Sequence, residues 1–189
     1  MMEKNNVKDK VIVVTAGCGN LGRFLTNDLA QSGAKLALLD DTGRLGEAYE
    51  SELNLFTEVL FLKVDVTDLQ AMNQAVTQIL ERFHHIDVLL ELPYPSRDYD
   101  HTSLHELLTG QDEYLNIYRI PMSIAGQHCF NQGEGCIICV SRDYGVVAYI
   151  EGLAKDAERW ISPYLRIYGL NASELSPEQL RQTIKEIIY

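Results

Sequence analysis

The sequence predicts a doubly wound α/β fold: a parallel sheet of about six strands with helices on both faces. Three observations carry that prediction. Short, β-branched apolar runs alternate with segments of helical period along the chain. The apolar runs are nearly continuous, as strands covered on both faces are. A glycine-rich turn joins the first run to the first helical segment. Such alternation packs as right-handed crossovers over a parallel sheet.

Val11-Ile12-Val13-Val14-Thr15 is too short for a buried helix and reads as the first strand. After the glycine turn, Leu21, Phe24, Leu25 and Leu29 recur at helical spacing up to Ser32-Gly33, where glycine supplies a left-handed stop. Lys35–Asp40 is the second strand. A helix near Gly43–Leu55, a strand at Val59–Val64, a helix at Asp68–Phe83 and a strand at Asp87–Leu90 follow by the same period switching. The second half is less regular. A loop, Leu92-Pro93-Tyr94-Pro95-Ser96, leads to a polar stretch and to a helix from about Asp112 towards Phe130, with Pro121 expected to kink it. Gly135–Ser141 reads as a buried strand. The next helix carries the stripe Ile150, Leu153, Ala154, Ala157 and Ile161, with Pro163 beyond its end. A short strand at Tyr164–Tyr168 and a helix opening at Ser176-Pro177-Glu178 complete the pattern, with Ser176 as N-cap.

The chain has 189 residues, which suits one medium domain. Its 46% hydrophobic and 23% charged residues exclude disordered and fibrous classes. The formal net charge of −11 argues against nucleic acid and anionic membrane as general partners. No apolar run approaches the roughly 20 residues of a membrane span, and Met1–Lys10 lacks the apolar core of a signal peptide. A cytoplasmic location with reduced cysteines is expected.

Gly17-Cys18-Gly19-Asn20-Leu21-Gly22 matches G-x-G-x-x-G between a strand and a helix. Glycines there let the backbone turn sharply and approach a pyrophosphate. The helix N-terminus offers N–H groups and a positive dipole end. Asp40 ends the second strand 18 residues after Gly22, near the spacing at which a carboxylate accepts from the adenosine ribose hydroxyls. It would repel a 2′-phosphate, so NAD is expected in preference to NADP, with Arg44 the nearby basic residue that argues the other way. The bland readings are a tight strand-to-helix connection and a solvated strand-end carboxylate.

Val14-Thr15-Ala16-Gly17-Cys18-Gly19-Asn20-Leu21-Gly22-Arg23 resembles the T-G-x-x-G-x-x-G loop of the short-chain dehydrogenase/reductase family, with Ala16 in place of the first glycine. Val64-Asp65-Val66-Thr67-Asp68 is similar to the family's D-V-T-D segment, His85–Leu90 to its I-D-V-L-V run, and Leu165-Arg166-Ile167 to its I-R-V. The resemblance implies a cofactor site made by Thr15, Gly17, Gly19, Asn20, Leu21, Gly22 and Asp40, with Asp65 and Val66 against the adenine. Residues 1–91 would form the dinucleotide-binding half of one domain and 92–189 a catalytic and oligomerisation half. A homo-oligomer, dimer or tetramer, is implied, and a protein partner is a further expectation.

The second half departs from the family. Glu91-Leu92-Pro93-Tyr94 stands where the family has N-N-A-G. The family's catalytic Asn, Ser and Tyr-x-x-x-Lys are met by Ile117 (with Asn116 adjacent), Arg142 (after Ser141), Tyr144 and Ala148. Lys155 lies 11 residues beyond Tyr144, about 16 Å along a continuous helix. A phenol of ordinary pKa near 10 needs a neighbouring cation to exchange protons at neutral pH. The loop Arg142–Val147 and the stretch after Asn171 read as shortened.

Three readings follow. The chain is an NAD(H)-binding protein that has lost dehydrogenase activity and serves as a sensor, regulatory or assembly component. Alternatively it is an active oxidoreductase on an alcohol or carbonyl compound, with Tyr144 as acid/base and Ser141 orienting the carbonyl. In the third reading it is a structural protein without nucleotide.

Other candidates weigh less. Cys136 and Cys139, three apart in a strand, point to opposite faces and suit a core rather than a metal site. Cys18 sits where a helix N-terminus lowers a thiol pKa, but no resolving partner is visible. His101 and His105, near Asp98 and Asp100, have helical metal-ligand spacing without a third ligand. His84-His85 suits the negative end of a helix dipole. Trp160, Tyr144, Tyr149, Tyr164 and Tyr168 suit ordinary packing better than a partner surface.

Overall fold

In the computed structural model, residues 7–94, 113–160 and 164–188 are described. β1 (Val11–Thr15), β2 (Lys35–Asp40), β3 (Val59–Lys63), β4 (Val88–Glu91), β5 (Gly135–Ser141) and β6 (Leu165–Asn171) form one sheet in the order β3-β2-β1-β4-β5-β6. All of these pairings are parallel. The described helices are α1 (Asn20–Gln31), α2 (Arg44–Leu53), α3 (Leu69–Phe83), α4 (Glu113–Gln132), α5 (Tyr144–Trp160) and α6 (Pro177–Ile188).

Alternate residues of each strand feed two cores. Ile12, Val14, Leu36 and Leu38 face Leu25 and Leu29 of α1, Tyr49 and Leu53 of α2, and Leu180, Ile184 and Ile188 of α6. Val11, Val13, Ala37 and Leu39 face the layer of α3, α4 and α5, including Met72, Ile79, Phe83, Ile117 and Ile150. The expected sheet covered on both faces is therefore present. The winding reverses between β1 and β4, which opens a crevice at the carboxyl ends of those strands, the place where open α/β sheets bind ligands.

Local chemistry sets the helix ends. Asp68 accepts from the Gln70 and Ala71 N–H groups and starts α3, and His84 ends it in the left-handed region at φ 72°. Ser32 closes α1, followed by Gly33 at φ 85°. At α6, Ser176 Oγ accepts from the Gln179 N–H at 3.2 Å, and Gln179 Oε1 accepts from the Ser176 N–H at 2.9 Å, a reciprocal capping box.

Several expectations need correction. β6 runs to Asn171 rather than Tyr168. The segment expected as a loop after Arg142 is already the first turn of α5, capped by Asp143, whose Oδ1 accepts from the Gly145 and Val146 N–H groups. Tyr144, Tyr149 and Tyr164 are exposed rather than packed. His85 Nε2 in addition lies 3.1 Å from the Asp87 carboxylate, a contact that the helix-end expectation for His84-His85 did not include. Asp98, Asp100, His101 and His105 lie outside the described residues, as do Ile161 and the side chain of Trp160.

Candidate nucleotide site

β1 delivers the glycine loop to the crevice. Ala16 sits at φ 51°, a left-handed conformation that suits glycine. Gly22 is required by close approach: a Cβ there would lie 2.4 Å from the Ala16 carbonyl oxygen and 2.6 Å from the Gly17 carbonyl. Its absence lets α1 start directly against the loop. Gly19 is the N-cap and no side chain caps the helix, so the first turn beginning at Asn20 and Leu21 presents N–H groups of the kind that hold anions.

A buttress behind the loop was not anticipated from the sequence. Arg23 Nε donates to the Cys18 carbonyl at 3.1 Å, and its guanidinium lies 4.2 Å from the centre of the Tyr49 ring. The Tyr49 hydroxyl donates to the Arg23 carbonyl at 3.1 Å and is 2.8 Å from the Thr26 hydroxyl. α2 thereby holds α1 and the loop in one arrangement.

Asp40 is buried at the end of β2. Its Oδ2 accepts from the Cys18 N–H at 3.0 Å and its Oδ1 from the Thr42 N–H at 3.2 Å. Each oxygen retains further acceptor capacity for a ribose hydroxyl. Thr15 Oγ1 accepts from the Leu92 N–H at 3.2 Å and so ties the ends of β1 and β4 together. Asp65 is exposed, with Oδ1 accepting from the Thr67 N–H and hydroxyl at 2.9 and 2.7 Å; Val66 is buried in the core beside it. The Cys18 thiol is pushed up to about 11, first by burial and then by the Asp40 carboxylate, the opposite of an activated thiol.

The stretch Glu91–Tyr94, at the end of β4, borders the crevice. Glu91 is fully buried, its Oε2 accepting from the Cys139 thiol. The Tyr94 hydroxyl accepts from the Ala16 N–H at 3.4 Å. Burial and the fields of Asp40, Asp41 and Asp65 raise the Tyr94 phenol above its ordinary range. The sequence signal was only that this stretch matched nothing.

In the second half, Ser141 is fully buried and its Oγ accepts from the Asp143 N–H at 3.1 Å, at the start of α5. Tyr144 is exposed, and its pKa is raised by a hydrogen bond to the Glu174 carboxylate and by that group's charge. Ile117 is core, while Ala148 and Lys155 are exposed on α5. Cys136 and Cys139 face opposite cores, as their spacing requires. Among the described residues no cluster of His, Cys, Asp and Glu suits a metal ion, and no helix is long and apolar enough to cross a membrane.

Comparison with known proteins finds similarity to one family over part of the chain. The profile described as short chain dehydrogenase matches residues 10–91, from the start of β1 to the end of β4. Post-translational flagellin modification protein A of Campylobacter coli is 29% identical over 150 residues, which cover 75% of this chain and 59% of that protein. The CLA biosynthesis dehydrogenase/reductase of Lactiplantibacillus plantarum is 34% identical over 84 residues, 44% of this chain and 29% of that protein. The chain thus spans less than two thirds of the length of these relatives. Among solved structures, an NAD+-bound xylitol dehydrogenase superposes with a TM-score of 0.68 at 24% identity, covering 88% of this chain and 70% of that one. The L-sorbose reductase of Gluconobacter frateurii, complexed with NADPH and L-sorbose, gives 0.72 at 17% identity with the same coverage. At these identities the likeness concerns the fold. The profile match is carried by the strands and glycine turn that build the crevice, so residues 10–91 are similar to the short-chain dehydrogenase family.

Proposed function

We propose that the chain binds NAD(H) at the β1–β4 crevice and has lost dehydrogenase activity, acting as a sensor, regulatory or assembly component. The family binds NAD(P) in general. The observation that carries the loss is that Ala148 stands where the family's lysine would favour the Tyr144 phenolate, and the Glu174 carboxylate raises the Tyr144 pKa further. The uncapped α1 terminus, the space kept by Gly22 and the remaining acceptor capacity of Asp40 suit the pyrophosphate and ribose of a dinucleotide. NAD(H), when bound, supplies a hydride couple; Thr15, Gly17, Gly19, Asn20, Leu21, Gly22 and Asp40 would hold it, with Asp65 and Val66 near the base. The buried Asp40 carboxylate favours NAD over NADP.

The second reading is an active NAD-dependent oxidoreductase using Tyr144 and Ser141, favoured by the dehydrogenase names of the relatives. Thermal unfolding with NAD+, NADH, NADP+ and ADP tests the site. A ligand at about 100 times its Kd adds about 2.7 kcal/mol to a native state that alone binds it. A shift with NAD(H), smaller with NADP+ and lost in Asp40→Ala, is expected, and no shift at millimolar ligand overturns the reading. Turnover of an alcohol or carbonyl panel that vanishes in Tyr144→Phe would establish the second reading instead.

A further inference from the structure

We propose that Tyr94 occupies the adenosine seat of the crevice and must be displaced for a nucleotide to bind, so that this one side chain sets nucleotide affinity. The inference rests on the reading of the crevice as a nucleotide site.

Tyr94 lies three residues beyond the last residue of β4. Its position is constrained from behind: Thr15 holds the Leu92 N–H at 3.2 Å, and Pro93 fixes the next backbone torsion. The hydroxyl takes the Ala16 N–H of the glycine loop at 3.4 Å. The side chain packs against both hydrophobic cores, the one under α1, α2 and α6 and the one under α3, α4 and α5. Those cores lie on opposite faces of the sheet, so a ring that touches both lies across its carboxyl edge. Ala16, whose N–H the hydroxyl takes, lies two residues before Cys18, whose N–H is held by Asp40 at 3.0 Å, so the hydroxyl stands on the same short loop as the carboxylate that the family resemblance sets against the adenosine. Ring and adenosine therefore compete for one volume.

The phenol stays protonated across the physiological range, since burial and three carboxylates disfavour its anion. Displacement is thus a matter of packing and one hydrogen bond, not of charge. Apparent affinity falls by the fraction of molecules in which the seat is open, and removing the ring removes that factor. A ring that instead stacked on the base from its present place would strengthen binding, so the two geometries predict opposite signs.

The test is calorimetric titration of the full chain with NAD+ and, separately, with ADP, for the wild type, Tyr94→Ser, Tyr94→Leu and Tyr94→Phe. Both ligands are expected to bind Tyr94→Ser about tenfold more tightly than the wild type, equivalent to about 1.4 kcal/mol. Tyr94→Phe, which keeps the ring, is expected to stay within about threefold of the wild type. Tyr94→Leu retains apolar contact with both cores and gives the same sign as serine should the serine variant not fold. Wild-type binding with unchanged or weaker affinity in the serine and leucine variants overturns the proposal and leaves the nucleotide reading standing. Tightening for NAD+ but not ADP also overturns it, because the seat would then lie outside the adenosine half. No binding by any of the four proteins at millimolar ligand overturns both.

Discussion

Replacing Glu91 by glutamine should make the protein's stability less dependent on pH, with a size that follows from one proton. Glu91 ends β4 between Thr15 and Cys139 of the neighbouring strands and is fully buried. Its Oε2 accepts from the Cys139 thiol, and Oε1 has no hydrogen-bond partner among the described residues. Burial pushes its carboxyl well above the ordinary range, and the hydrogen bond from Cys139 offsets this only in part. The folded chain therefore keeps a proton that the unfolded chain releases above about pH 4.5. Where the native state binds more protons, stability falls as pH rises, by about 1.4 kcal/mol per unit for one proton. The fall begins near the unfolded pKa and ends when Glu91 ionises in the folded protein. Glutamine has no such proton. At low pH the variant should be less stable by about 1–3 kcal/mol, because the amide brings an extra buried donor. The deficit should then shrink by about 1.4 kcal/mol per pH unit. Urea unfolding of both proteins at pH 5, 6, 7 and 8 measures it; with an m-value of about 2 kcal/mol/M, the midpoint difference moves by about 0.7 M per unit. Parallel pH dependence in the two proteins, or a difference of opposite slope, would refute the assignment of Glu91 as a buried neutral acid.

Other perturbations test the loop. Gly22→Ala drives a Cβ into the Ala16 and Gly17 backbone, so α1 must move off the loop, at a cost of about 1–3 kcal/mol in urea unfolding and with loss of nucleotide binding; an unchanged midpoint contradicts the close approach. Ala16→Gly relieves a left-handed alanine at φ 51°. Relief of about 1–2 kcal/mol against about 0.5–1 kcal/mol of added chain entropy predicts a midpoint equal to or slightly above the wild type. A clear fall would show that the Ala16 methyl matters more than its torsion. Asp40→Asn removes the second contributor to the raised Cys18 pKa, after burial. Alkylation of Cys18 by iodoacetamide at pH 8 should accelerate, and an unchanged rate would mean that burial alone protects the thiol.

The sheet was legible because its strands carry their environment in their composition. β1, β2 and β5 are covered on both faces, and their nearly continuous apolar runs mark their limits to the residue. β6 was read short because it borders the sheet, and the half-buried Tyr168, Gly169 and Leu170 lack that uniform signal. The glycine loop and Asp40 were legible from spacing, since a sharp turn at a helix N-terminus needs glycine whatever the rest of the chain does. α5 was read as starting late because Asp143 caps a first turn made of Tyr144 and Gly145, which carry no helical stripe.

What the sequence determined by itself was local and periodic: the alternation of strands and helices, the anion-ready turn after β1 and the absence of a lysine four residues after Tyr144. What tertiary structure decided was burial and partnership between residues far apart in the chain. Carboxylates are usually exposed, so nothing in its neighbours marks Glu91 as buried; only the pairing of β4 with β1 and β5 removes it from water. Tyr94 reaches Ala16 across 78 positions, Tyr49 props a loop that precedes it by a helix and a strand, and Glu174 claims the Tyr144 hydroxyl from beyond β6. Spacing along the chain encodes a helix face or a strand face, whereas these contacts arise only when the sheet order brings distant segments to one edge.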